Sequence, residues 1–449
     1  MTSPRADAHP ADLSTEHLHS ALEDPALASM NFLNEVANRY PDAISFAPGR
    51  PFEEYFQIED VHRYLRVFCE YLEQERGLSP AEVRRTLYQY GRTKGIVHEL
   101  IARNLTEDEG ITIDPESVVV TVGCQEAMYL VLRALRADER DVLLAVRPTY
   151  VGIDGAARLV DMPVLPVSGE GPGIDLDDLI RQVRRARAAG LRPRACYVMP
   201  DFANPSGTSL DLALRHQLLE IAEEEDFLLL EDNPYGLFNG GDDRVPTLKA
   251  LDRRRRVVYL GSFAKTALPG ARVGYAIADQ RVAGRSGAVE LLADQLSKIK
   301  SMLTVNTSPI AQAVVGGKLV EHGYSLLAAN VQERKLYAAN MTQLLHGLAR
   351  HFPAGATAAE GISWNAPTGG FFAVVTLPFV ADDALLAYSA RRHGVLWTPM
   401  SHFYGGTGGH HQLRLATSLV TSEQIEQGLG RFAALVADRT RTDWQLPAT

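Results

Sequence analysis

Lys265 lies in the segment 261–272, Gly-Ser-Phe-Ala-Lys-Thr-Ala-Leu-Pro-Gly-Ala-Arg, three residues after a hydroxyl (Ser262) and seven before a guanidinium (Arg272). That spacing suits one chemistry. The amine joins an aldehyde as an imine, while the flanking Ser and Arg grip a phosphate carried by the same molecule. Lysine is otherwise scarce, with 7 against 38 arginines, and this one sits in a Gly/Pro-rich loop directly after the apolar run 257–260. A plain surface-loop lysine is the competing reading, and four further motifs in sequence order weigh against it.

Those motifs depend on the elements that position them. Between about 117 and 277, short β-branched runs (117–121, 142–145, 195–199, 227–230, 257–260, 273–277) alternate with helical patterns near 124–136, 151–161, 175–189 and 211–226. Strands interleaved with helices imply parallel pairing through crossovers and a three-layer α/β domain. Ligands of such sheets sit at the carboxyl ends of the strands. The polar and glycine-rich pieces fall there: Gly123-Cys124-Gln125, Pro148-Thr149-Tyr150, 201–207, 232–235 and 262–265. Taken singly, each has an ordinary reading as well, such as a turn-capping aspartate, a core tyrosine or an Asn-Pro turn. Together they point to one site.

Upstream, a helical pattern from Met30 leads into an expected short strand over 44–51, and 58–76 and 95–107 read as amphipathic helices. Downstream, a long helix is expected over about 287–302, another running to about 350, and strands near 371–376 and 411–416.

This order of motifs resembles the fold-type I pyridoxal-phosphate enzymes, specifically the class I/II aminotransferases, over nearly the whole chain from about Met30. The resemblance implies an α/β fold: a three-layer α/β/α large domain around a mainly parallel seven-stranded sheet, plus a smaller α+β domain drawn from both termini. The expected division is a flexible tail over 1–25, small-domain segments over 26–75 and 326–449, and the large domain over 76–325. The implied cofactor is pyridoxal 5'-phosphate, an electron sink for the carbanion left when an amino acid loses its α-proton.

On this resemblance Lys265 forms the resting imine, then serves as base and acid for the proton shift. Asp232 pairs with the ring nitrogen, where an opposite charge favours the protonated ring. Asn204 and Tyr235 match the two donors to the ring 3'-oxygen, and Tyr150 matches the aromatic residue that stacks on the ring. Gly123, Cys124 and Gln125 open a helix directly after a strand, where backbone N–H groups meet a phosphate. Ser262 and Arg272 add further phosphate contacts. Cys124 stands where relatives more often carry Ser or Ala, which puts a hydroxyl contact in doubt, and Ala264 stands where many carry Ser.

Arg414, in Leu-Arg-Leu-Ala-Thr-Ser at 413–418, matches the arginine that clamps the substrate α-carboxylate with a bidentate fork. His410, His411 and Gln412 precede it where the family has Asn, so its local support is open. Gly49 and Arg50 fall beside the substrate pocket, Arg50 reading either a distal carboxylate or phenolic hydroxyl, or simply facing solvent. Phe46, Phe52, Tyr55, Phe56 and Trp397 form either an aromatic wall or plain core. Tyr90 resembles the tyrosine that reaches the phosphate of a neighbouring subunit, implying a homodimer with composite sites. The chain is most similar to aminoadipate/kynurenine-type aminotransferases, and among them to enzymes that make arylglycines for peptide antibiotics. Small-molecule amino acids and 2-oxo acids are the implied partners.

Composition limits the rivals. A chain of 449 residues suggests two domains, and 46% apolar with 22% charged residues is ordinary for a globular protein. Net charge of −10 argues against a nucleic-acid partner. Cys69, Cys124 and Cys196 lie far apart without metal-ligand spacing, so no disulfide framework and no metal is expected, and a reducing cytoplasm fits. No apolar stretch approaches the ~18–20 residues of a membrane span. The leading residues lack the apolar stretch of a signal peptide and the basic recognition helices of an aminotransferase-like transcription regulator. The remaining alternatives share Lys265 and Asp232: a 2-aminoadipate or branched-chain aminotransferase, or a lyase, oxidase or decarboxylase of the same fold.

Overall fold

The computed structural model describes residues 13–440, apart from 170, 172, 242–243, 285–286 and 356–359. The first twelve residues of the expected tail lie outside that set. At its centre is a seven-stranded sheet in the spatial order Val118–Val122, Val273–Ile277, Val257–Ser262, Leu228–Asp232, Arg192–Val198, Asp141–Arg147 and Val164–Ser168. Neighbours run parallel except around Val273–Ile277, which is antiparallel to both strands beside it. The cause is local. Residues 263–272 contain no crossover helix, so the chain leaving Val257–Ser262 turns straight back. Lys265 rides on that turn.

Side-chain alternation divides the sheet between two faces. Val119, Leu143, Tyr197, Leu230, Leu260 and Ala276 bury one face under the helices Gly123–Leu135, Val151–Leu159 and Leu292–Leu303. Toward one end of the sheet, Val118, Val120, Tyr259 and Ile277 pack on the opposite side with Phe68, Leu100, Ile101 and Val315. Toward the other end, Leu144, Cys196, Val198 and Leu229 pack with Leu179, Val183 and Leu218. Burial on both faces explains why these strands read as continuous apolar runs. It also sends Glu231 and Asp232 to opposite sides: Glu231 accepts from the N–H groups of Leu248 and Lys249, and Asp232 follows Leu230.

A second, four-stranded antiparallel sheet joins Ser363–Trp364, Phe372–Thr376, Gln412–Ala416 and Thr398–Pro399. Its core takes Val375, Leu415 and Phe432 from the C-terminal region and Ile44 and Phe46 from the N-terminal side.

Several expectations change. The strand expected over 44–51 is only Ile44–Ser45, parallel to Val395–Leu396, and 47–50 continue as pocket-lining loop. Helix Ile58–Gln74, expected with the small domain, packs Phe68, Tyr71 and Leu72 into the large-sheet core instead. The edge strand Val164–Ser168 went unread because Pro166 interrupts it and most of it is half-exposed, both properties of an edge. Residues 289–291 are a strand paired with Arg281–Ala283, and the helix expected from 287 starts at Leu292, where Asp294 caps the Leu291 N–H. The run toward 350 breaks into Pro309–Glu321, Leu326–Ala329 and Val331–His351, with Gly323 and Tyr324 at positive φ and Ser325 capping anew. Residues 15–23, expected as flexible tail, form two short 3-10 helices, and Arg158 pairs with Asp24 beyond them.

Helix Pro309–Glu321 approaches helix Ile58–Gln74 closely enough that a Cβ at Gly317 would overlap the Tyr64 carbonyl. Backbone cannot yield as a flexible side chain can. Gly317→Ala is therefore expected to lower unfolding free energy by about 1–3 kcal/mol, read by denaturant titration, despite Ala's better helix propensity. Stabilisation would show that the two helices pack less tightly than described.

Candidate active site

A cavity of about 470 Å3 opens at the carboxyl ends of the central strands. Of the residues expected to bind cofactor or the substrate carboxylate, Lys265, Asp232, Tyr235, Asn204, Tyr150, Cys124, Gln125, Ser262, Arg272 and Arg414 line it with Gly49 and Arg50, and Gly123 and Tyr90 do not. Gly123 lies directly behind it. Tyr90 is 85% exposed, and the single chain does not bring it to the cavity.

One end of the cavity suits an anion. Gly123 begins the helix Gly123–Leu135 with φ +71°, and a Cβ there would overlap the Arg272 guanidinium. Glycine is required by the backbone angle, and its missing Cβ leaves the guanidinium where it lies. The helix start is pinned by Glu126, which accepts from the Val122 N–H (2.6 Å) and from buried Lys300 (2.7 Å) and Thr304 (2.6 Å). First-turn N–H groups, Ser262 and Arg272 thus converge on one place, a suitable seat for a phosphate.

The middle holds Asp232, 3% exposed. Burial pushes its carboxyl up to about 6, opposed by donors from Tyr197 and Cys124 and by the charge of Lys265. The Tyr197 hydroxyl donates to Oδ2 (2.6 Å) and the Cys124 thiol faces Oδ1 (3.5 Å). Cys124 therefore serves the carboxylate, which accounts for a thiol where a phosphate-binding hydroxyl was in question. Tyr197 was missed in the sequence. A tyrosine in a buried strand reads as core, and only the pairing of Arg192–Val198 with Leu228–Asp232 sets it beside Asp232.

Lys265 donates to the Gly49 carbonyl (2.6 Å). Burial, then the positive charges of Arg414, Arg272 and Arg50, pull its amine down to about 8. At pH 7.5 roughly a quarter of it is neutral, against about one in a thousand for an ordinary lysine. The amine is nucleophilic because three arginines surround it in a desolvated cavity.

Arg414 comes from the second sheet and reaches across to the first. Its Nη1 donates to Asn204 Oδ1 (2.6 Å), and its Nη2 to the Ala47 carbonyl (2.6 Å) and Thr398 Oγ1 (3.2 Å). Phe372 and Phe403 cover its guanidinium at 4.4 and 5.0 Å. This is the support that the His-His-Gln stretch left open. Burial lowers its pKa to about 10, so it stays charged at neutral pH, while its buried Nε has no partner. A charged, buried guanidinium facing a cavity is suited to take a carboxylate.

The aromatic wall is corrected. Phe46 and Trp397 are fully buried in the second core, Phe52 and Tyr55 pack on each other, and none of them lines the cavity; Phe403 does. Sequence reasoning missed Phe403, since nothing in its surroundings marks it apart from its place shortly before Arg414.

A family model described as aminotransferase class I and II matches residues 71–432. The chain belongs to the class I and II aminotransferases. These residues fit pyridoxal 5'-phosphate, the cofactor of that family: an anion seat, a buried carboxylate and an activated lysine share one cavity. The chain is 58% identical to an (S)-3,5-dihydroxyphenylglycine transaminase of Amycolatopsis orientalis, over 96% of both chains. It is similar in structure to a kynurenine aminotransferase of Pyrococcus horikoshii, with TM-score 0.77, 26% identity, and coverage of 91% of this chain and 95% of that one. An α-aminoadipate aminotransferase of Thermus thermophilus gives TM-score 0.76, 27% identity, and coverage of 95% and 98%.

The Lys265 environment makes a prediction about pH. In cofactor-free protein, borohydride trapping of pyridoxal phosphate on Lys265 is expected to rise through about pH 8 and then level off, as the neutral amine becomes the main form. Peptide mapping reads it. A tenfold rise per pH unit continuing to pH 10 would show an ordinary lysine.

Proposed function

We propose that this aminotransferase moves the amino group between an arylglycine of the 3,5-dihydroxyphenylglycine kind and a 2-oxo acid, in a ping-pong cycle. The observation that carries the substrate reading is the 58% identity, end to end, with a transaminase of that amino acid. The cavity is compatible with it. An arylglycine bears its ring directly on the α-carbon, so the ring must lie close to both Arg414 and Lys265. Phe403 and Val151 supply apolar wall there, and Arg50 at the exposed rim supplies a donor for phenolic hydroxyls.

In this reading the bound cofactor supplies an electron sink for the carbanion formed at the α-carbon. The chain's residues do the rest. Arg414 takes the α-carboxylate in its bidentate fork and fixes the α-carbon over Lys265. Lys265 Nζ takes up the α-proton and later gives it back, a task suited to an amine held near pH 8. Asp232 holds its charge opposite the ring nitrogen, Tyr150 covers a ring face, and Asn204 and Tyr235 hold the 3'-oxygen. The working unit is a homodimer in which Tyr90 of one chain serves the phosphate of the other. The exposure of Tyr88, Tyr90 and Met302 supports a covered face. Three free cysteines suit a cytoplasmic setting, and supply of arylglycines for peptide antibiotics is the role that follows.

A second reading has its own support: a 2-aminoadipate transaminase of Thermus thermophilus is 30% identical over 87% of this chain, and Arg50 would meet a distal carboxylate as well as a phenol. A donor panel decides. With one oxo-acid acceptor, kcat/KM for hydroxylated arylglycines is expected to exceed that for 2-aminoadipate and phenylalanine by at least tenfold, a difference of about 1.4 kcal/mol in transition-state binding. The opposite order would favour the second reading. Lys265→Ala, folded and holding cofactor, is expected to lose turnover by about 10^3 or more; near-normal turnover would remove the lysine from the chemistry.

A further inference from the structure

The hydroxyl of Tyr197 has no part in the account above beyond its hydrogen bond to Asp232. Tyr197 is 1% exposed and Asp232 is 3% exposed, so the carboxylate depends chiefly on protein donors. Among the described residues its side-chain donors are two. The Tyr197 O–H reaches Oδ2 at 2.6 Å, and the Cys124 S–H, a weak donor, lies at 3.5 Å from Oδ1. The placement follows from sheet register. Tyr197 pairs with Leu230 on the adjacent parallel strand, so Asp232, two residues on, lies diagonally beside it on the same face. A phenol ring is long enough to span that diagonal.

We infer that Tyr197 is a positioning residue: its hydroxyl holds the Asp232 carboxylate ionised and turned so that Oδ1 is left for the cofactor's ring nitrogen. Without a strong donor, a carboxyl buried to this degree keeps its proton, and a neutral carboxyl cannot pair with a pyridinium. The phenol is suited to the task because burial and the neighbouring carboxylate raise its own pKa, so it donates rather than ionises. Oδ2 is thereby occupied, and Oδ1 keeps only the weak thiol contact, which a charged N–H displaces at small cost. The inference rests on pyridoxal phosphate being seated at Asp232.

The test measures dissociation of pyridoxal phosphate from the holoenzyme by equilibrium dialysis across the neutral and mildly acid range. Four proteins form a double-mutant cycle: wild type, Tyr197→Phe, Asp232→Asn and the double variant. Tyr197→Phe is expected to bind roughly tenfold or more weakly at neutral pH. Its affinity is expected to fall off at a pH about one unit higher than in wild type, as a hydrogen bond to a charged group predicts. In the Asp232→Asn background the same substitution is expected to change affinity less than twofold, because no ionised carboxylate remains for it to hold.

An equal loss in both backgrounds, or a loss uniform in pH, would mean that the hydroxyl only packs, and would overturn the inference. Wild type carries a further test should Tyr197→Phe lose its fold. Its affinity must hold down to about pH 6, where Asp232 takes up its proton; a decline already centred a full unit or more above that would be that of an unassisted carboxyl and would overturn it too. Absence of binding in wild type sinks the cofactor assignment and this inference with it. Binding that Tyr197→Phe leaves unaltered sinks this inference alone.

Discussion

Four ionisable groups enclosed in one cavity govern the architecture: Asp232, Lys265, Arg272 and Arg414. Burying a charge without full pairing is costly, yet Asp232 and Arg414 are buried and Lys265 is half-buried with incomplete partners, while Arg272 stands at the exposed side of the cavity. Asp232 keeps one oxygen with only a thiol beside it, and Arg414 keeps an unpaired Nε. Lys265 is left with an amine that burial, and then the three arginines, make reluctant to hold its proton. What the protein leaves unsatisfied, a phosphorylated aldehyde and an amino acid can satisfy. Binding and chemistry thus share one electrostatic origin.

The fold supplies what that arrangement demands. A sheet buried on both faces gives low-dielectric surroundings and delivers Tyr197 and Asp232 to one side by simple alternation. The single reversal in an otherwise parallel sheet places Lys265 at the strand ends, because the turn 263–272 has no helix to carry it away. The Glu126–Lys300 pair holds the helix start that receives the anion, far enough inside that neither partner is exposed. Arg414 belongs to the second sheet and bonds to Asn204 in the turn that follows strand Arg192–Val198 of the first, so its guanidinium takes this place only when the two sheets are docked.

The wrongly expected elements share a cause. Ile44–Ser45 and Val289–Leu291 are strands of two and three residues, and Val164–Ser168 is an edge strand interrupted by Pro166, so strand identity there comes from pairing rather than pattern. The choice between aromatic wall and plain core stayed open in the sequence for a related reason. Phe46 and Trp397 fill the core of the second sheet, where size and apolarity alone are needed, and a sequence does not show which aromatic faces a cavity.

By itself the sequence determined the chemistry. Lys265 with Ser262 and Arg272, Asp232 before Tyr235, and Asn204 in its Asn-Pro turn are local patterns whose spacing states their purpose, and alternating strands and helices state the sheet that carries them. Tertiary structure alone decided how those groups are tuned. Tyr197 and Cys124 on Asp232, Phe372 on Arg414, and Arg50 and Arg414 near Lys265 are contacts between residues far apart in the chain. A side chain's chemical type is written in sequence, but its proton affinity depends on burial and neighbouring charge, which exist only after the chain has folded.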